Sequence, residues 1–186
     1  MRLVFCGTPQ FAVPTLKTLL EAGHDIPLVV TQPDRPSGRG MQLVAPPVKQ
    51  AALSAGLSVI QPEKIKKNEE FRAQLEAIHP DAIIVVAYGR IIPKWMLDLP
   101  RYGNLNLHAS LLPKYRGAAP IQWAVANGEP VTGATTMRID EGLDTGVDGQ
   151  HRSVNTPLQH LRRGTASIAS VPFSACWIPQ RRGKYS

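Results

Sequence analysis

Three polar residues of this chain have types and spacing that suit acyl-group transfer: Asn106, His108 and Asp144. Asn106 and His108 stand two apart in GNLNLH, a run that reads as a strand over 103–108, so their side chains share one face. An amide N–H can hold a developing oxyanion and an imidazole can move a proton. The carboxylate of Asp144, in the segment DEGLDTG, can orient the ring. The same spacing also fits a structural or solvent-facing pair, so spacing alone leaves both readings open.

Other chemistries find less support. His24, His79, His108, His151 and His160 stand at no ligand spacing with cysteine or carboxylate, so no metal site is expected. There is no GxxxxGK[ST] phosphate loop and no G-x-S-x-G elbow, and Gly7-Thr8-Pro9 lacks the further glycines of a dinucleotide fingerprint. Cys6 ends an apolar run and reads as a buried strand residue rather than a nucleophile. Two cysteines make no disulfide framework, which points to a reducing compartment.

The elements that must position the polar trio alternate strand and helix. Strands are predicted over 3–6, 26–30, 58–60, 82–87, 103–108 and 134–139, and helices over 11–22, 45–55, 68–78 and 121–126. The run AIIVVA at 82–87 is apolar at every position, which suits a central strand covered on both faces. This order implies an α/β fold: a mostly parallel, Rossmann-like sheet flanked by helices. Ligands in such sheets collect beyond the carboxyl ends of the strands, here 7–11, 31–47, 87–91, 106–120 and 140–146. Residues 32–47 read as a Pro/Gly/Arg-rich loop, too long for a plain connector. Its Arg35, Arg39 and Lys49 can grip phosphates or simply sit in solvent.

Five segments in order carry a resemblance: FCGTPQFAVPTL, TQPDRPSGRG, VVAYGRIIP, NLHASLLPKYRGAAPIQWA and MRIDEGLDTG. Over residues 1–146 they resemble the N-terminal catalytic domain of the methionyl-tRNA formyltransferase family. The HxSLLPxxRGxxP run is shared with the wider 10-formyltetrahydrofolate-dependent transferases and hydrolases, whereas PDRPSGRG is similar to the tRNA-facing insertion of the initiator-tRNA enzymes. The resemblance implies formyl transfer from 10-formyltetrahydrofolate to the amino group of methionine on initiator tRNA, without a metal. It places the catalytic Asn, His and Asp on Asn106, His108 and Asp144. Folate contacts fall on Ser110, Leu111, Leu112 and Pro113, with Tyr88, Gly89, Arg90 and Ile91 bordering the same pocket. Arg39, then Arg35, are expected to meet the tRNA acceptor end, with Lys114 and Arg116 as further candidates. A monomeric cytoplasmic enzyme is the corresponding expectation.

The 186 residues are 43% hydrophobic and 19% charged, with no apolar run of membrane-spanning length and no signal-peptide pattern at MRLVFCGTPQF. The net charge of +7 suggests an anionic partner but is unevenly spread. Residues 1–146 hold 15 basic against 13 acidic residues, a net +2; residues 147–186 hold six against Asp148 alone, a net +5. From Val147 the text no longer resembles the family: an apolar strand, closing helices and a C-terminal tRNA-binding barrel are expected there and are not legible. The change reads as a shifted frame with early termination, giving a weakly ordered tail over 147–186 and an impaired enzyme. Two other readings follow the residues: a formyltransferase or hydrolase using the same donor on a different substrate, and an inactive fragment with salt-dependent RNA affinity.

Overall fold

The computed structural model describes residues 1–38, 41–141 and 156–157. In chain order the elements are β1 (Arg2–Gly7), a 3-10 turn (Gln10–Ala12), α1 (Val13–Glu21), β2 (Asp25–Val30), β3 (Arg35–Ser37), β4 (Gln42–Val44) and α2 (Pro47–Ser54). There follow β5 (Val59–Ile60), α3 (Glu69–Ile78), β6 (Ala82–Val86), α4 (Lys94–Asp98), β7 (Asn104–His108), α5 (Pro120–Ala126), β8 (Val131–Thr132), β9 (Thr135–Arg138) and β10 (Thr156–Pro157).

Six strands form one sheet in the order β5-β2-β1-β6-β7-β9. All neighbours in it run parallel except β7 and β9. The expected mostly parallel α/β sheet is therefore the observed one. Its centre, β1 and β6, is buried almost throughout, because alternate residues face two separate apolar layers. Leu3, Phe5, Ile84 and Val86 pack with Leu16 and Leu19 of α1 and Val48 and Ala52 of α2. Val4, Cys6, Ile83 and Val85 pack with Phe71 and Leu75 of α3 and Met96 of α4. Truncating one of these large side chains to alanine costs about 2–5 kcal/mol. β2 departs from strict alternation. Its pairing with β1 slips between Arg2/Asp25 and Val4/Leu28, where Pro27 can donate no ladder hydrogen bond, and Ile26 and Val29 then share a face three residues apart.

Three features differ from the expectations. Residues 32–47 are not a plain loop: β3 and β4 pair antiparallel as a hairpin, in register from Arg35/Val44 to Ser37/Gln42. α4 and β8 were not expected; five and two residues are too few to show a period. The last strand is reversed. Thr135 pairs with His108 and Arg138 with Leu105, so residues 140 and 141 follow β9 at the end of the sheet opposite His108, not at the shared carboxyl edge, and the rest of the expected 140–146 segment lies outside the described residues. In the tail, Thr156–Pro157 pairs antiparallel with β8. The rest of the tail, expected to be weakly ordered over 147–186, lies outside the described residues.

Candidate active site

The carboxyl end of β7 is built from alternation. Leu105 and Leu107 face the α1/α2 layer, so Asn104, Asn106 and His108 face the α3/α4 layer. Asn104 is fully buried there, and its Nδ2 donates to the carbonyls of Met96 (2.9 Å) and Leu97 (3.1 Å), tying β7 to α4. Asn106, half-buried, pairs in register with Val85 and Met137. Strand geometry puts its side chain about 7 Å from that of His108.

His108 is 6% exposed, and its Nε2 lies 2.8 Å from the main-chain oxygen of Tyr115. A carbonyl oxygen only accepts, so Nε2 is the donor in this contact. The loop between these two residues is braced from within. Ser110 Oγ donates to the Lys114 carbonyl (2.7 Å), and Lys114 N donates to the Leu111 carbonyl (3.1 Å). Thr135 Oγ1 of β9 donates to the Ser110 carbonyl (2.8 Å) and accepts from Leu112 N (3.2 Å). Thr135 was missed in the sequence; its role arises from the pairing of β9 with β7, which sets it against Ser110, 25 residues away, and which no local signal announces.

Asp144 lies outside the described residues, as does Arg39. The segment leading to Asp144 starts on the Asn106 side of the sheet. Glu141 Oε1 is 2.6 Å from Lys94 Nζ of α4, the helix that Asn104 engages on that face. The carboxylate beside it holds the Lys94 ammonium above the usual lysine range.

The other candidate residues divide by what their side chains already do. Leu112 is buried and Leu111 half-buried, while Pro113 is exposed after a cis Leu112–Pro113 bond. The Tyr88 ring is buried in the α3/α4 layer, and burial pushes its phenol above the ordinary tyrosine range. Only its main chain borders open space, with Ala87 and Gly89. Ile91 is 88% exposed, an uncovered apolar side chain at the end of β6. Arg90 is a strut: Nε donates to Gln32 Oε1 (3.2 Å) and Nη1 to the Glu63 carbonyl. Lys114 is ion-paired with Glu129 (2.9 Å), whereas Arg116 is exposed.

A second hub roots the hairpin. Lys49 Nζ contacts both oxygens of Asp34 at 2.9 and 2.7 Å. Gln61 Nε2 donates to Asp34 Oδ1 (2.7 Å) and to the Gln32 carbonyl (2.7 Å). The hydrogen bonds from Lys49 and then Gln61 hold the Asp34 carboxyl below its ordinary value. Lys49 is thereby taken up in the fold. Beside this root lies an open cleft of about 520 Å³ between the ends of β1, β2 and β6, walled by Thr8, Pro9, Pro36, Pro46 and the main chain of Tyr88, with exposed Arg35 at its edge. This cleft does not include His108. Among the described residues no three His, Cys, Asp or Glu side chains gather as a metal site, and no helix is long and apolar enough to cross a membrane.

A parallel sheet whose fourth and fifth strands end in a Tyr-Gly-Arg turn and an Asn-x-His pair defines the class. The chain belongs to the formyl transferase family, whose profile matches residues 1–148. It is similar to the methionyl-tRNA formyltransferase of Acidobacterium capsulatum, 88% identical over 146 residues, which are 78% of this chain and 47% of that protein. It is also similar to the methionyl-tRNA formyltransferase of Caldanaerobacter subterraneus subsp. tengcongensis, 59% identical over 188 residues, covering 99% of this chain and 61% of that one. The chain thus spans about half the length of the first of these relatives. In fold it is similar to the crystal structure of glycinamide ribonucleotide transformylase 1 from Geobacillus kaustophilus, with a TM-score of 0.68 at 24% identity over 92% of each chain.

Proposed function

We propose that residues 1–146 are a catalytic domain that moves the formyl group of 10-formyltetrahydrofolate to the α-amino group of methionine on initiator tRNA, a cytoplasmic step of translation initiation carried out by a monomer. The observation that carries the reading is the Asn106/His108 pair on one face of β7, its imidazole anchored through Nε2, in a chain so similar to enzymes of that name.

The chemistry follows from the atoms. The amine lone pair attacks the formyl carbon and a C–N bond forms. Charge builds on the formyl oxygen, where the Asn106 amide donates. His108 Nδ1 takes the proton from the amine, and Asp144 steadies the resulting imidazolium. The bond from the formyl carbon to N10 of the folate then breaks, and the proton passes to N10. For the folate, Ser110 offers its surroundings rather than its hydroxyl, which braces the turn. The main chain of 110–113 and 88–90, with the uncovered Ile91, suits a flat heterocycle that needs apolar cover and edge hydrogen bonds. Arg35 at the cleft edge, and Arg39 four residues later in the sequence, meet the acceptor-end phosphates.

The test is transfer of labelled formyl from the donor to methionyl-tRNA by this chain. His108→Ala is expected to lower the rate by about 10²–10⁴-fold. Asn106→Ala is expected to lower it by roughly 10²–10³-fold. Arg35→Ala is expected to weaken tRNA binding and reduce the salt slope by about one. Equal rates for the parent and His108→Ala overturn the mechanism. Formylation of a small free amine but not of methionyl-tRNA overturns the acceptor.

A further inference from the structure

A main-chain oxygen is one partner of the His108 imidazole, so whatever fixes that oxygen constrains the ring. Tyr115 has φ of +57°, the left-handed region, which a residue with a Cβ keeps only where its surroundings impose it. What imposes it here is on the other end of the same residue. The Tyr115 hydroxyl donates to Glu129 Oε1 at 2.8 Å and accepts from Asn127 Nδ2 at 3.2 Å. Lys114 Nζ donates to the same Glu129 oxygen at 2.9 Å. Two consecutive side chains of the loop are thus clamped on one carboxylate, which is only 21% exposed. Glu129 is itself fixed by its N–H donating to the Ala124 carbonyl of α5 (3.0 Å). The hydrogen bond from Lys114, then that from Tyr115, holds the Glu129 carboxyl below its ordinary value.

We propose that Glu129 is a positioning residue for His108: by clamping Lys114 and Tyr115 it sets the Tyr115 carbonyl against Nε2, and so fixes the plane and tautomer of the ring. Glu129 acts 21 residues from His108 in the chain and through Tyr115 rather than by contact. The inference rests on the reading of His108 as the proton-moving group. Its structural content does not need turnover. The inner end of the loop is pinned separately by Thr135, so loss of the Glu129 clamp frees the Tyr115 end while residues 110–112 stay in place.

The experiment follows the ring N–H of His108 by proton–nitrogen NMR on the ¹⁵N-labelled full chain, with the resonance assigned by its loss in His108→Asn. A ring proton of a buried imidazole, bonded to a carbonyl, exchanges slowly with water. Glu129→Ala and Tyr115→Phe are each expected to speed that exchange at least tenfold, while backbone amides of β1 and β6 keep their protection. Glu129→Gln, which keeps an acceptor for the tyrosine but loses the charge facing Lys114, is expected to fall between. If Glu129→Ala does not fold, Tyr115→Phe, which keeps the ring and removes one oxygen, decides alone. Exchange within twofold of the parent in the folded variants overturns the proposal. Absence of formyl transfer in every form, with the exchange effect intact, overturns the proposed function and leaves the clamp standing.

Discussion

Gln32 ties two strand ends together outside the chemistry. It stands two residues after β2 at 8% exposure, and its amide reaches across to the residues that follow β6. Nε2 donates to the carbonyls of Tyr88 (3.1 Å) and Gly89 (3.2 Å), and Oε1 accepts from Arg90 Nε. Gln32→Leu keeps the volume and deletes all three. A neutral hydrogen bond contributes about 0.5–1.5 kcal/mol net and one to a charged group about 1.5–3 kcal/mol. All three are long, which favours the low end. The Tyr88 carbonyl also keeps a second donor, Thr8 Oγ1 at 3.0 Å, and exposed Gly89 can turn to water. The expected loss is therefore about 2 kcal/mol. With a slope of about 2 kcal/mol per molar urea, the unfolding midpoint falls by about 1 M at unchanged slope. The double variant with Thr8→Val leaves the Tyr88 carbonyl without either side-chain donor, so it is expected to lose more than the sum of the singles, by about 1 kcal/mol. A midpoint shift under about 0.2 M, or strict additivity in the cycle, refutes the reasoning.

Three further outcomes are expected. Asp34 has its carboxyl lowered in the fold, so the stability it brings is complete above its ordinary value near 3.8 and is lost as pH falls through the lower folded value. An acid-unfolding titration below pH 4 should show this loss in the parent, and Asp34→Asn should lack it while being weaker at neutral pH. Gly7→Ala would put a Cβ 3.1 Å from the Val86 carbonyl and 2.8 Å from Phe5 Cε1, and is expected to cost about 1–3 kcal/mol by thermal unfolding. Cys6 is fully buried and its thiol is pushed far up by desolvation; mass spectrometry of the alkylated peptides should find Cys6 labelled only after denaturant is added.

The sheet was legible because its central strands carry an unmistakable pattern: AIIVV at 82–86 is buried at every residue, on both faces, with only the last alanine of the run, Ala87, falling outside the strand and exposed. Asn106 and His108 were legible because period-two geometry follows directly from the strand. The hairpin was not. β4 is exposed at every residue and β3 at both residues whose burial is described, so neither carries an alternation of apolar and polar faces. Its pairing depends on local geometry and on the Asp34 hub. The reversal of β9 was equally hidden, since direction within a sheet leaves no mark on a four-residue strand. The supports of His108 were hidden for another reason: Tyr115, Glu129 and Thr135 act through a left-handed turn and contacts 14 to 25 residues apart. Arg90 and Lys114 looked like ligand-facing cations because sequence shows charge but not the partners that take it up.

The β3–β4 hairpin forms a sheet of its own and exchanges no ladder with the six-stranded one. Its anchor is a handful of side chains at the root, Asp34, Lys49 and Gln61, which belong to neighbouring elements. Such a part is modular: the stretch between Arg35 and Val44 can be lengthened, shortened or replaced without disturbing the register of any strand that carries Asn106 or His108. Under the proposed function, acceptor choice and bond-making chemistry are thereby open to separate natural selection, and a graft of a different hairpin on the same root would be the direct way to redirect one while conserving the other.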